Sequence, residues 1–417
     1  MTSLRFCMVT TFYPPRSFGG DAVAVQSLAR ALVRAGHHVT VVCDDDAYRT
    51  LSGRHDAAPL EVDDGVVVHR LASRIGALAV GLTQQTGHPI VHRKRLRRIL
   101  DTGNFDVIHY HNLSLVGGPA ALAYGTGVKL YTAHEHWLVC PTHVLWRHRV
   151  EPCPARQCIR CQLSYGRPPQ LWRHTGLLQR QLEHVDAFIA VSRFSRDKHL
   201  EFGFTREMEV IPGFVHEPAP PPVSAAPSKR PYFLFVGRLE SLKGLDDVID
   251  TFAGFEAADL VIAGEGGERR TLEARAAGNP RVRFVGFQSG DALARWYADA
   301  YAVIASSRGY ETFGLSVIEA YSRGVPVLAR RLGSYLELVE ETGAGETFTD
   351  GGELRAAMQR LVADPTRRGT MSRAALALFR SKYSEDVVVP QYLELVARLL
   401  PSRRVVPLSP REAPVHA

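Results

Sequence analysis

One stretch in the second half of the chain, Gly309-Tyr-Glu311-Thr-Phe313-Gly314-Leu315-Ser-Val-Ile-Glu319, sets two carboxylates around a Gly-containing turn. The apolar run Ala302–Ser306 before it predicts a strand, and a helix is expected to open at about Leu315. Glycines in such a turn let backbone N–H groups approach a ligand, and a helix N-terminus favours phosphate. Carboxylates accept hydrogen bonds from sugar hydroxyls, so one ligand carrying both phosphate and sugar suits the set. Earlier in the chain, Phe235-Val-Gly237-Arg238-Leu-Glu-Ser-Leu-Lys243-Gly244 places two cations in a strand-to-helix loop. Arg offers a planar fork and Lys a point charge, a pair that can clamp a diphosphate. Taken alone, the two cations also read as a solvated surface pair. Gly264, in Ala263-Gly-Glu-Gly-Gly267, is a weaker signal that often marks only a tight turn.

Four of the six cysteines cluster as Cys140-x12-Cys153-x4-Cys158-x2-Cys161 in a Pro-, Arg- and His-rich segment. Four thiolates suit a tetrahedral zinc ion, and the spacing also admits an iron–sulfur cluster or free thiols. His143 and His148 lie between the first two cysteines and are alternative ligands. A metal held by four thiolates has no open position for a catalytic water, so its expected role is structural. Disulfides are not expected in a reducing cytosol. Cys7 and Cys43 sit in apolar strand patterns and read as core residues.

The elements that must hold these groups alternate between strand and helix. Strand-length apolar runs fall at Leu4–Phe12, His38–Cys43, Val66–Leu71, Asp106–His111, Lys129–Ala133 and Ala187–Ser192. Between them lie helical patterns such as Asp21–Ala35, which predicts parallel sheets covered on both faces. Val215–Pro231 contains six prolines in 17 residues and reads as an interdomain linker. A second series follows at Tyr232–Gly237, Leu260–Ala263, Val282–Phe287, Ala302–Ser306 and Val325–Ala329. The expected fold class is therefore α/β, with two Rossmann-like doubly wound domains facing across a cleft. The expected spans are residues 1–215 with a Cys-rich insert at 137–170, 216–384, a C-terminal segment at 385–400, and a disordered tail at 401–417. Ser384–Leu400 reads as a helical pattern broken by Pro390.

Net charge is +7, and residues 1–230 carry 27 Lys/Arg against 19 Asp/Glu, so the excess sits in the first half. The helical segment His92-Arg-Lys-Arg-Leu-Arg-Arg-Ile-Leu100 is its densest part. A solvated face is the plain reading, and attraction to an anionic membrane surface or anionic acceptor the sharper one. Aromatics do not interleave with the basic residues, which argues against a nucleic-acid platform. No apolar run is long enough to span a bilayer, and the N-terminal run has no signal-peptide pattern, so a cytoplasmic protein is expected.

Gly237-Arg238…Lys243-Gly244, then Glu311-x7-Glu319 within ETFGLSVIEA, then Gly324-Val-Pro-Val, resemble in type and order the family 4 retaining glycosyltransferases of GT-B fold. The resemblance runs from Phe6 to about Leu400. It implies a nucleotide diphosphate sugar as donor, with Arg238 and Lys243 on the diphosphate, Glu319 on the ribose and Glu311 on donor-sugar hydroxyls. Phe313, Gly314 and Leu315 would offer backbone groups, and Gly264 and Phe287 complete the expected donor set. Phe12-Tyr-Pro-Pro-Arg-Ser-Phe-Gly19-Gly20-Asp21 resembles the family's N-terminal Gly-Gly loop, with Gly19 and Gly20 near the donor phosphates. Asp21 is then a candidate for holding the acceptor, or an ordinary first-turn acid. His134-Glu135 resembles the family's His-Asp step, placing His134 near the reacting centre and Glu135 on the acceptor side. One departure is local: Ile211-Pro212-Gly213-Phe214 replaces the family's Ile-Pro-Asn-Gly. The C-terminal helix is expected to return to the first domain. No catalytic divalent cation is expected, since Arg and Lys supply the positive charge. The alternatives are a non-catalytic nucleotide-sugar-binding protein, or another double-Rossmann enzyme such as a nucleotide-sugar epimerase. An NAD-linked oxidoreductase lacks its G-x-G-x-x-G after the first strand.

Overall fold

The structure, a computed structural model, describes residues 3–53, 62–218, 228, 230–340 and 342–400. The centre of the Pro-rich segment and the tail from Pro401 lie outside the described residues.

The first half of the chain supplies β1 (Arg5–Val9), β2 (His38–Asp44), β3 (Val62–Asp63), β4 (Val66–Leu71), β5 (Val107–Tyr110) and β6 (Val128–Ala133). A two-residue hairpin, β7 (Trp146–Arg147) and β8 (Glu151–Pro152), precedes β9 (Ala187–Ala190) and β10 (Met208–Val210). The sheet order is β10-β9-β6-β5-β1-β2-β4-β3, parallel except for β3. Strands β5 and β6 are buried along their whole length, as expected of parallel strands covered on both faces. The order reverses at β1, which lies between β2 and β5. The loops leaving β1 and β5 therefore open a crevice at the carboxyl edge.

The second sheet runs β13 (Val282–Gly286), β12 (Asp259–Ala263), β11 (Tyr232–Val236), β14 (Ala302–Ala305), β15 (Val327–Arg330) and β16 (Gly345–Phe348), all parallel. Its order reverses at β11, between β12 and β14. That reversal puts the Gly237–Lys243 loop beside the Ser306–Gly314 loop, and Ser306 Oγ ties them by donating to the Lys243 carbonyl at 2.7 Å.

The C-terminal helix Glu385–Leu399 returns to the first domain. It runs through Pro390 without the expected break. Pro390 is exposed near the N-terminal end, and a helical proline costs about 3 kcal/mol. Val388, Val389, Tyr392, Leu395 and Val396 are buried in one cluster with Phe6, Met8, Val25 and Leu32. Each large apolar side chain buried contributes about 1.5–3 kcal/mol, so packing outweighs the proline. The two chain crossings between domains also meet each other, since Val215 N–H donates to the Tyr383 carbonyl at 3.3 Å.

The basic segment forms a helix, Arg93–Thr102, that buries Leu96 and Leu100 and leaves Arg93, Lys94, Arg95, Arg97 and Arg98 exposed. Among the described residues no helix is long and apolar enough to cross a membrane.

Candidate active site

The site grows from the β11/β14 reversal. Lys243 ends the loop after β11, and its Nζ donates to Glu311 Oε1 at 2.5 Å. Ser307, just past β14, donates its hydroxyl to the same oxygen at 2.5 Å. Burial would raise the Glu311 pKa, but the Lys243 charge and hydrogen bond, the Ser307 hydroxyl and the Arg238 charge outweigh it. The carboxyl is held below its usual range and stays anionic at neutral pH. Arg238 is half-exposed, with Nη1 on Glu240 at 2.8 Å, and so remains available to a ligand from solvent.

Gly314 precedes the helix Leu315–Tyr321 with φ of 101°, and a Cβ there would come within 2.9 Å of the Tyr335 ring. Both facts demand glycine. One turn on, half-buried Glu319 accepts a 2.6 Å hydrogen bond from the Tyr297 hydroxyl. Burial raises its pKa, while the Tyr297 hydroxyl and Arg323 oppose the rise. The two carboxylates thus occupy different electrostatic settings: Glu311 is paired with a cation and Glu319 shares a phenol.

The first domain faces this set from its own reversal. The Phe12–Gly20 loop is fixed by the buried Arg16–Asp45 ion pair and by Arg70, which donates to the Pro14 carbonyl at 3.0 Å. Gly20 then begins the helix Gly20–Arg34, and a Cβ on it would lie 3.4 Å from Leu315 of the second domain. Asp21 accepts from Asn112 Nδ2 at 3.2 Å, and Asn112 is held in turn by the Thr11 and Ser114 hydroxyls. His134 follows β6, and its Nε2 lies 2.9 Å from His111 Nδ1, so one imidazole donates and the other accepts. Burial pushes the His134 pKa down to about 4 against the opposing charge of Asp21, and burial also lowers His109 and His111. All three imidazoles are neutral at pH 7. They line a small pocket with Gly213, Phe214 and, from the C-terminal helix, Tyr392.

Two sequence models match along the chain. One described as Glycosyltransferase Family 4 covers residues 18–217, and one described as Glycosyl transferases group 1 covers residues 218–377.

The chain belongs to the family 4 glycosyltransferases.

Curated relatives agree in span. Glycogen synthase of Mycobacterium tuberculosis is 28% identical over 416 residues, 92% of each chain. Phosphatidyl-myo-inositol mannosyltransferase of Propionibacterium freudenreichii is 25% identical, covering 91% of this chain and 92% of its own. Among solved structures, sucrose-phosphate synthase of Thermosynechococcus elongatus superposes with a TM-score of 0.73 at 20% identity, over 96% of this chain and all of its own. HepE of Anabaena with UDP-glucose gives 0.67 at 20%, over 95% of this chain and all of its own. The fold of this glycosyltransferase is accordingly GT-B.

Within the glycosyltransferase, Lys243 bonds Glu311 and Arg238 acts on it by charge, Gly20 of the first domain approaches Leu315, and His134 is tied to Thr312, while Glu319 is held apart by Tyr297. Other expected residues are placed differently. Glu135 Oε1 lies 2.8 Å from His143 Nδ1 of the Cys-rich insert. Gly264 answers to loop packing, because a Cβ there would fall 1.9 Å from the Gly237 carbonyl oxygen. Phe287 is 73% exposed on the loop after β13, outside the contacts that join the others. Phe313 points into the core against Tyr383, and its carbonyl accepts from Ser334. The Phe313 ring also explains Gly213, where a Cβ would come within 2.9 Å of it. The family's Asn has no room here.

Several site residues escaped sequence reasoning. Ser192 caps the helix Arg193–Glu201 by accepting from Ser195 N–H, and its hydroxyl donates to the Thr312 carbonyl at 2.5 Å. His111 and Asn112 sit at the end of a strand already foreseen, and two alternating histidines beside a sheet reversal were the usable signal. Ser307, Tyr297 and Tyr392 carried none.

Proposed function

We propose that this glycosyltransferase draws its sugar from a nucleotide diphosphate sugar and transfers it with retained anomeric configuration, without a catalytic divalent cation. The Lys243–Glu311 pair at the β11/β14 reversal carries the reading. On donor binding, Lys243 passes from the Glu311 carboxylate to a phosphate oxygen, and Arg238 closes on the same diphosphate. Glu311, kept anionic, then accepts from donor-sugar hydroxyls, while Glu319 accepts from the ribose. As the glycosidic C–O bond breaks, its electron pair goes to the leaving phosphate, where the two cations and the Gly314 and Leu315 amides offset the growing charge. The acceptor oxygen bonds to the sugar carbon on the same face, and its proton passes to the leaving phosphate. His134, neutral and fixed by His111, orients the sugar beside the reacting carbon. Asp21, held by Asn112, orients the acceptor hydroxyl.

The relatives named above include a glycogen synthase and a mannosyltransferase, and HepE was solved with UDP-glucose, which supports a nucleotide sugar as donor. The acceptor belongs to one of three classes: a glycan, a lipid-linked sugar or a natural-product precursor. We place the enzyme in the cytoplasm, with the exposed basic face of Arg93–Thr102 as a peripheral contact for an anionic membrane surface. Calorimetric titration with a panel of nucleotide diphosphate sugars in the presence of EDTA tests the reading. One of them should bind, and Lys243→Ala should weaken it at least tenfold. Binding by none, or binding indifferent to Lys243, would overturn it.

A further inference from the structure

We propose that Cys140, Cys153, Cys158 and Cys161 hold one structural zinc ion. The proposal does not rest on what the cleft transfers.

The four cysteines come from separate turns of the insert, yet all line one small pocket with Thr142, Leu145, Trp146 and Gln157. Cys158 begins the helix Cys158–Ser164 and Cys161 follows one turn later, so both sulfurs lie on one helical face. Cys153 is brought in by its N–H, which donates to the Leu145 carbonyl at 2.7 Å. Cys140 is placed by a 2.7 Å bond from its N–H to the His136 carbonyl. None of the four is in a disulfide.

Among the described residues, the ligand atoms that already lie within 4.8 Å of one another as a group of three are those of Asp44, Asp46 and His92, so an ion must draw the four sulfurs together. Two features point to one. The first is the backbone. His143, Leu145, His148 and Arg149 all have positive φ, between 47° and 75°, and only two other non-glycine residues among those described do so. A conformation that is sparsely populated persists only where its surroundings fix it. The second is electrostatic. Arg173 lies over the Trp137 and Trp172 rings and has a buried Nη2 without a hydrogen-bond partner. A buried guanidinium of this kind calls for negative charge, and four thiolates around one Zn²⁺ carry a net charge of −2. The His148 N–H donates to Cys161 Sγ at 3.4 Å.

Of the two histidines, His143 Nδ1 lies 2.8 Å from Glu135 Oε1, and the buried Nε2 of His148 has no hydrogen-bond partner, which makes His148 the alternative fourth ligand. Four thiols lose their protons on binding and leave no open coordination position, so the ion is structural. Its location gives it a consequence: Tyr310, next to Glu311, packs against the Cys140–Leu145–Phe202 cluster. Ordering the insert therefore steadies the loop that carries Glu311.

The test uses the full chain purified under reducing, anaerobic conditions without chelator. Elemental analysis should give one zinc per chain, and X-ray absorption at the zinc edge should show a shell of sulfur at about 2.3 Å. Cys158→Ser should lose most of this zinc. Because that variant could fail to fold, the unaltered protein should also release its zinc to a mercurial in step with modification of four thiols. Iron with acid-labile sulfide, a zinc shell dominated by nitrogen or oxygen, or no metal at all would each overturn the proposal.

Discussion

Thr312 Oγ1 donates a 2.7 Å hydrogen bond to the carbonyl oxygen of His134, although 178 residues separate them in sequence. The Thr312 carbonyl in turn accepts from Ser192 of the first domain. Thr312 follows Glu311 directly, so these two bonds tie the Glu311 loop to the first domain beside His134. Neither bond touches a reacting atom, and both act by position.

Thr312→Val keeps the shape of the side chain and removes its donor. A net hydrogen bond is worth about 1 kcal/mol, which corresponds to roughly a fivefold loss. We expect kcat/KM to fall about fivefold, with thermal stability nearly unchanged. Steady-state kinetics on the folded variant check this, and an unaltered kcat/KM would mean that the cross-cleft bond positions nothing.

Gly213→Asn restores the residue usual in the family. In this chain the Phe313 ring occupies that space, with its nearest carbon 2.9 Å from where a Cβ would sit. Overpacking of this kind costs typically about 1–3 kcal/mol. Thermal unfolding should show a destabilised protein, and pairing the change with Phe313→Leu should recover part of the loss. A Gly213→Asn protein as stable as the parent would contradict the packing account.

The row of imidazoles makes stability depend on pH. Burial holds His109, His111 and His134 below their usual pKa, His134 at about 4. The unfolded chain binds protons on these groups near pH 6.5 and the folded chain does not. Stability therefore rises with pH across this window and is lost as pH falls from about 6.5 towards 4. His134→Gln removes one such group, so the drop in Tm between pH 7 and pH 5 should be smaller than in the parent. An equal drop would show that His134 is not held neutral.

Most of the fold was legible because parallel strands are short apolar runs with clear turn signals. Val66–Leu71 is a strand over the span its residues suggest, and the helix opens at Leu315 as the Gly314 step implies. Met208–Val210 was not legible, since three residues with an exposed Glu209 at a sheet edge carry no period. Pro390 misled because its penalty is local while the burial that overrides it is tertiary. That Arg238, Lys243 and Glu311 come together was readable from charged residues in spaced order. The polar residues that align it, Ser192, Thr312 and His111, act only through partners distant in sequence. Ordinary serines, threonines and histidines announce nothing of that kind.

We infer that Arg238, Lys243 and Glu311 form a site that cleaves a nucleotide diphosphate sugar without a metal ion. Release of nucleoside diphosphate from a panel of such sugars, measured with cell extract as acceptor source and EDTA present, tests it most directly. The parent enzyme should release nucleotide from one donor, and Lys243→Ala and Glu311→Ala should each lower the rate at least tenfold, about 1.4 kcal/mol of barrier. Release abolished by EDTA, or undiminished in folded Lys243→Ala protein, would contradict it.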